Sequence, residues 1–414
     1  MATAQTPVGN RDGKTIMGHP RGLVILFLTE MWERFSFYGM RGLLIIYLTQ
    51  HFLMSDESST LLYGAYGALV YVMTIIGGSL ADRYLGARKA VTFGAILLTF
   101  GHFGMTFEGD GSRQLVNYGE NQYEIVLDAR GGDARQQIVT VLGTSYITFT
   151  ETTMDIADPD SVGLPASIDR DEFTLTVETE QKYLNILYLS LALIIAGVGF
   201  LKANISTIVG SLYGFGDARR DSGFTIFYMG INMGAFLASI FCGYLGIVHG
   251  WKYGFGLAGI GMLIGLVVFL SCQSWLEGKA EPPNPEKLKE KVFLGINVEW
   301  LCYSVGLAII AVSMLLVMNA ELAVGILGPL GVVMMLGMIG YTVLQLKGDE
   351  RSRMLAAIYF ILAQIPFWAL FEQAGSSLNL LTARLVDREM FGWSVPGPVF
   401  QSLNAGYIFL FAPL

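Results

Sequence analysis

Charge is scarce in this chain. Only 14% of its 414 residues are Asp, Glu, Lys or Arg, against 53% apolar residues and a mean hydropathy of +0.52. A soluble globular chain carries about 25% charged residues, so there is too little polar surface here to hold the molecule in water. Cysteine is scarcer still. Cys242, Cys272 and Cys302 each sit in an apolar run, which excludes a disulfide framework and a zinc spacing. His19, His51, His102 and His249 are too scattered to suggest a local metal cluster, and neither a metal nor an organic cofactor is expected. HExxH and GxSxG are both missing, so an intramembrane enzyme would lack its metal motif or its nucleophile. A secreted scaffold and a nucleic-acid partner are poor readings on the same grounds.

Glycine and aromatic residues are plentiful instead. Fifty Gly, 26 Phe and 19 Tyr suit helices in lipid, which accept glycine at their contacts and place rings at the boundaries. A membrane helix needs roughly 20 mainly apolar residues. Such stretches are 23–48, 61–81, 90–107, 183–213, 224–246, 254–276, 297–318, 322–346, 354–381 and 398–414. An all-α polytopic membrane protein is expected. The arm 1–22 is polar and has no signal-peptide core, so the first span is expected to stay. Basic residues fall in alternate connections: Arg11, Lys14 and Arg21, then Arg83, Arg88 and Lys89, then Arg219 and Arg220. The pattern continues with Lys279, Lys287, Lys289 and Lys291, then Lys347, Arg351 and Arg353, while 50–60 has none. By the positive-inside rule the N-terminus is cytoplasmic, and a bacterial inner membrane is the expected location.

Two connections stand out. Segment 108–182 holds 15 acidic and 5 basic residues, net −10, against −8 for the whole chain. The same rule puts it on the outer face. Its β-branched and aromatic stretches 123–127, 136–142, 145–150 and 173–177 alternate with turn signals, so a small antiparallel β module is expected, acting as a passive cap. Residues 277–292, with Pro282, Pro283 and Pro285 among Lys and Glu, read as a cytoplasmic linker. The six spans before it, over 23–276, form one bundle. This layout matches the major facilitator architecture, whose halves rock around a midplane site.

A few charges lie where lipid should exclude them. Glu30, Glu33, Arg34 and Arg41 occupy the first span, and a charge at the bilayer centre costs on the order of 2.5–3.5 kcal/mol. The spacing puts Glu30, Glu33 and Arg34 on one helical stripe that Phe37 and Arg41 continue, with Tyr38 at its edge. A carboxylate pulled upward by burial and downward by cations can titrate usefully, as a proton carrier must. Lys202 is the lone charge of its span, about 30 Å from Lys182 and about 22 Å from Asp217 at 1.5 Å per helical residue. Glu372 is the lone charge of another, after Pro366, and is the expected counter-charge of Lys202 or Arg34. Gln373, Ser376, Ser377 and Asn379 are expected beside it, while Asn204 and Asn232 read as helix-contact amides or cavity groups. Gly77 and Gly78 permit close helix contact ahead of Asp82 and Arg83, which are expected to act in gating.

At these residues the sequence resembles the proton-dependent oligopeptide transporter family. Glu30-x-x-Glu33-Arg34-Phe35-x-Phe37-Tyr38 is similar to its ExxERFxYY signature. GGSLADRYLG, FLKANIS, FYMGINMGAF, FWALFEQ and QSLNAGY follow in the family's order. The resemblance implies import of di- and tripeptides with protons, by alternating access, with protons as the only coupling species. It implies that Glu30, Glu33 and Glu372 couple protons. It also implies that Arg34, Tyr38, Arg41, Tyr71, Lys202, Asn232 and Glu372 form the peptide pocket. By the same resemblance 293–353 holds two extra helices (297–318 and 322–346), and 354–414 opens a second bundle with 354–381 and 398–414. Phe37 stands where the signature has tyrosine, and the β insert is not a general family feature. The chain stops within an apolar run at Phe411-Ala-Pro-Leu414, so the second bundle is expected to be truncated. A related carrier of nitrate, a drug or another organic anion is the alternative, and a tethered receptor with a β module a distant one.

Overall fold

The computed structural model describes residues 14–128, 135–293, 295–390 and 392–411. Arg11 and most of the expected cytoplasmic arm lie outside the described residues. The chain divides into two compact units, one made of helices and one built around the acidic insert.

The helical unit is built from α1 (Gly22–Gln50), α2 (Asp56–Leu80), α3 (Ala87–Gly104), α4 (Gln181–Ser211), α5 (Arg219–Val248) and α6 (Trp251–Ser271), except that 46–50 of α1, Asp56 and 181–185 of α4 fall in the other unit. Then come α7 (Val298–Met318), α8 (Ala320–Leu344), α9 (Gly348–Phe371), α10 (Ser377–Leu385) and α11 (Ser402–Phe411). Among the described residues, seven helical segments are long and apolar enough to cross a membrane. α1 is longer than several of them but carries the four charges noted above.

Glycine sets how closely these helices approach. Gly77 of α2 lies against the backbone of Gly199 on α4, where a Cβ would overlap the Gly199 carbonyl. Gly94 of α3 meets the Gly197 carbonyl of the same helix, so α4 is gripped from two sides through main chain. α7 docks through Gly306, whose missing side chain leaves room for Phe93 of α3. Phe93 in turn packs edge-on to Phe200, with centroids 5.0 Å apart. Small-residue contacts of this kind replace the hydrophobic drive that lipid removes.

Three expectations need adjusting. α2 does not end in a plain turn: its last residues pass into a π-helical segment, Ala81–Leu85, that contains Asp82 and Arg83. The linker is not merely solvated, because Pro285–Lys289 forms a helical turn capped by Asn284, with Leu288 buried. The span expected over 354–381 is broken. α9 runs through Pro366 to Phe371, a 3-10 turn holds Glu372–Gly375, and α10 follows.

The second unit takes in residues 46–56 and 108–185. Seven strands, β1 (Ser112–Tyr118), β2 (Asn121–Asp128), β3 (Arg135–Val139), β4 (Thr144–Phe149), β5 (Thr153–Ile156), β6 (Ser167–Asp169) and β7 (Phe173–Thr179), form one sheet. Its order is β6-β5-β4-β3-β2-β1-β7, antiparallel throughout. β6 and β7 occupy opposite edges of that order, yet only residues 170–172 separate them in the chain. The sheet must therefore curl until its edges come near one another. Val116, Ile125, Ile138, Ile147, Met154 and Phe173 fill the concave side. β1, β5 and β6 were not among the stretches expected from the sequence. β5 and β6 are short and β1 opens with three polar residues in a row, so each becomes a strand by pairing with its neighbours.

Candidate functional site

α1 turns its charged stripe inward. Glu30, Glu33 and Arg34 are 3%, 0% and 3% exposed, so none has water to solvate it. Arg34 solves the problem locally. Its Nη2 donates to Glu33 Oε1 at 2.7 Å and its Nε is bonded to Glu33 Oε2. The same Nε lies 3.2 Å from Glu30 Oε1, one helical turn back. The guanidinium also sits over the Phe37 ring, 5.0 Å from its centroid. Glu33 thus uses both oxygens on one cation, whereas Glu30 uses one. Glu30 Oε2 is buried and has no hydrogen-bond partner among the described residues.

Lys202 of α4 is half-buried and forms no ion pair within 4 Å among the described residues. Its Nζ rests over the ring of Tyr71, 4.5 Å from the centroid, a cation–π contact between α4 and α2. The charges of Arg34, Glu33, Glu30 and Arg41 all act on it. Tyr38 is half-buried with its ring edge-on to Phe37. Asn232 is buried and donates to the Tyr228 carbonyl on its own helix at 3.0 Å.

Glu372 does not pair with Lys202 or Arg34, as expected from the sequence, but with Arg41. The reason is position along α1. Arg41 lies seven residues beyond Arg34, about 10 Å along the helix, at the level where the chain leaves α9 in the 3-10 turn. Tyr63 of α2 holds the other side of Arg41, accepting from its Nε at 2.7 Å. Gly375 faces that phenol, where a Cβ would collide with the hydroxyl. Tyr63 is a site residue absent from the candidates drawn from the sequence.

At the other end of α2, Asp82 and Arg83 are exposed and neither forms an ion pair within 4 Å among the described residues. The ties are made by their neighbours. Arg88 donates to Gln273 Oε1 at 2.9 Å and to Glu281 Oε2 at 2.8 Å, and Lys89 pairs with Glu299 of α7 at 2.5 Å. Beyond α4, hydrogen bonds from the Arg219 side chain and backbone hold the Asp217 carboxyl down to about 2.

The arrangement contains three carboxylates and three cations in contact or in electrostatic reach: Glu30, Glu33 and Glu372 against Arg34, Arg41 and Lys202. When all are ionised the set is neutral. It can therefore accept an anionic group only by also accepting a positive charge or a proton.

The chain as a whole is similar to known proteins. A family model described as PTR2, the POT family, matches residues 88–414. The chain is 31% identical over 413 residues to the uncharacterized transporter YclF of Bacillus subtilis (strain 168), covering 97% of this chain and 68% of that protein. It is 30% identical over 435 residues to the peptide transporter YePEPT of Yersinia enterocolitica subsp. palearctica serotype O:3 (strain YE-P4), covering 99% and 69%. A crystal structure of a mutant peptide transporter POT in complex with alafosfalin superimposes with a TM-score of 0.67 at 30% identity, covering 97% of this chain and 68% of that one.

Proposed function

Because the chain belongs to the POT family, we propose that it imports di- and tripeptides together with protons across a bacterial inner membrane. The N-terminus faces the cytoplasm and the acidic β module the outside, as the alternation of basic connections requires. The family is one of transporters, and no chemistry beyond binding and proton transfer is needed.

The observation that carries the reading is the buried Glu30–Arg34–Glu33 cluster. A peptide carboxylate entering this neutral set can take Lys202, Arg34 or Arg41. Among the described residues Lys202 is held by an aromatic face and by no ion pair within 4 Å, so it can turn to the substrate without breaking one. If the substrate takes Arg34 instead, Glu30 and Glu33 lose their counter-charge in a dry site, and one of them must bind a proton. Glu30 is the natural acceptor because its Oε2 is already unengaged. Arg41–Glu372 joins α1 to the turn after α9, so a proton on Glu372 or a substrate carboxylate at Arg41 would release that contact. Substrate and proton thus favour the same rearrangement, which is the requirement for symport.

The test is uptake of a labelled dipeptide by the full-length protein in proteoliposomes under an inward proton gradient. Accumulation above equilibrium, abolished by a protonophore, is expected. Uptake indifferent to the protonophore overturns the reading.

A further inference from the structure

The end of the helical unit held by Arg41 and Glu372 has a second tie, made of neutral groups. Asn379 of α10 is 2% exposed and donates its Nδ2 to the backbone carbonyl of Gly42 on α1 at 2.8 Å. Its Oδ1 is buried with no hydrogen-bond partner among the described residues. The Nε2 of Gln401, at the end of the 3-10 turn Gly397–Gln401 that precedes α11, is buried and unpartnered in the same way. Both amides converge on Gly42. A Cβ built on that glycine would stand 3.8 Å from both Nε2 and Oε1 of Gln401. Two amide side chains from separate elements, one with a spare acceptor and the other with a spare donor, therefore meet the same residue of α1.

We infer that Asn379, Gly42 and Gln401 form an amide latch that holds α1 against α10 and the turn before α11, with Asn379 Oδ1 accepting from Gln401 Nε2 when this end tightens. The inference rests on the transporter reading, in which this end opens and closes. Its chemistry differs from that of the ion pair beside it. Arg41–Glu372 yields to a proton on Glu372 or to a competing carboxylate. An amide neither titrates nor carries a charge to be competed for. Buried polar atoms left unpaired are unfavourable, and joining them removes the penalty, so the contact favours two discrete arrangements over a graded one. The ion pair then sets how opening depends on pH, and the latch sets how firmly the end stays shut at any pH. Asn379 and Gln401 act through α1 and are positioning residues, not substrate ligands.

The experiment uses the full-length protein in proteoliposomes, with Asn379→Leu, Gln401→Met and the double variant, and Glu372→Gln for comparison. Loosening the latch favours the state open at this end. Apparent KM for dipeptide on that side and the maximal rate should both fall, each by about threefold to tenfold, with the pH midpoint unmoved. The double variant should be no worse than Asn379→Leu alone, because either change removes the same contact. Glu372→Gln should move the pH midpoint instead. Wild-type kinetics in both single variants, additive losses in the double, or a pH midpoint displaced by either amide change overturns the latch. If Asn379→Leu is not recovered folded, Gln401→Met and the exchanged pair Asn379→Gln with Gln401→Asn decide, recovery by the exchanged pair being expected and its failure overturning the proposal. Wild-type protein runs in the same vesicles. If it moves no dipeptide, the transporter reading fails, and the latch is judged by non-additive thermal unfolding of the two positions in detergent.

Discussion

Glu30 and Glu33 sit three residues apart in one helix turn and are held differently. Glu33 is chelated by Arg34 through both oxygens, while Glu30 shares one oxygen with that cation and leaves the other unengaged. Glu30→Gln should therefore leave thermal stability near the wild type, since an amide oxygen can still face Arg34. It should abolish proton-driven accumulation while gradient-independent exchange of dipeptide persists. Arg34→Leu is the opposite case. It strands two carboxylates in a dry site and should cost about 3–5 kcal/mol, read as a lower unfolding midpoint in detergent. Accumulation by Glu30→Gln at the wild-type level would reduce Glu30 to a structural partner. These roles were half legible beforehand. The i, i+3 and i+4 spacing places the three groups together, because one helix fixes their distances. Which carboxylate wins the guanidinium depends on rotamers that spacing does not specify.

Elements show the same division between what a single helix dictates and what two helices decide. Most apolar stretches of about 20 residues became helices near their expected bounds, because a segment crossing lipid must satisfy its own backbone, whereas 354–381 broke at Glu372–Gly375 and 398–414 opened with a 3-10 turn before Ser402–Phe411. The partner of Glu372 was not legible. It depends on the break at Glu372–Gly375, which lowers the carboxylate to the level of Arg41, and on Tyr63 and Gly375 making room around that guanidinium. The strands at 112–118, 153–156 and 167–169 were missed for the same reason, since pairing rather than composition makes them strands. Contact between helices also separates two adjacent glycines that look alike in sequence. A Cβ at Gly77 would strike the Gly199 carbonyl, whereas one at Gly78 would touch Ala203 Cβ at an ordinary 3.5 Å. Gly77→Ala should destabilise by about 1–3 kcal/mol through overpacking. Gly78→Ala should stay within roughly 0.5 kcal/mol of the wild type. Thermal unfolding of the two variants side by side checks this, and equal losses would mean that α2 and α4 are not in main-chain contact.

For the molecule as a whole, the β module is a unit with its own core, and none of the candidate transport residues lies in it. Replacing 112–180 with a short Gly/Ser link should leave dipeptide uptake within a few-fold of the wild type. Loss of uptake by a folded, membrane-inserted deletion variant would give the module a part in the cycle. The deletion is feasible because the module begins and ends at one place. Ser112 is paired with Thr179, their hydroxyls 2.6 Å apart, where the chain enters from α3 and returns to α4. That pairing has a mechanical consequence. A pull that separated the two chain ends would load the β1–β7 ladder from Ser112 and Thr179 inward, one rung at a time. Such a joint peels open like a zipper, unlike strands pulled from opposite ends, which resist with all their rungs together. It can bear little tension. If the module stays folded through each turnover, the neighbouring ends of α3 and α4 must travel as a pair, and the hinge of the rocking motion must lie elsewhere.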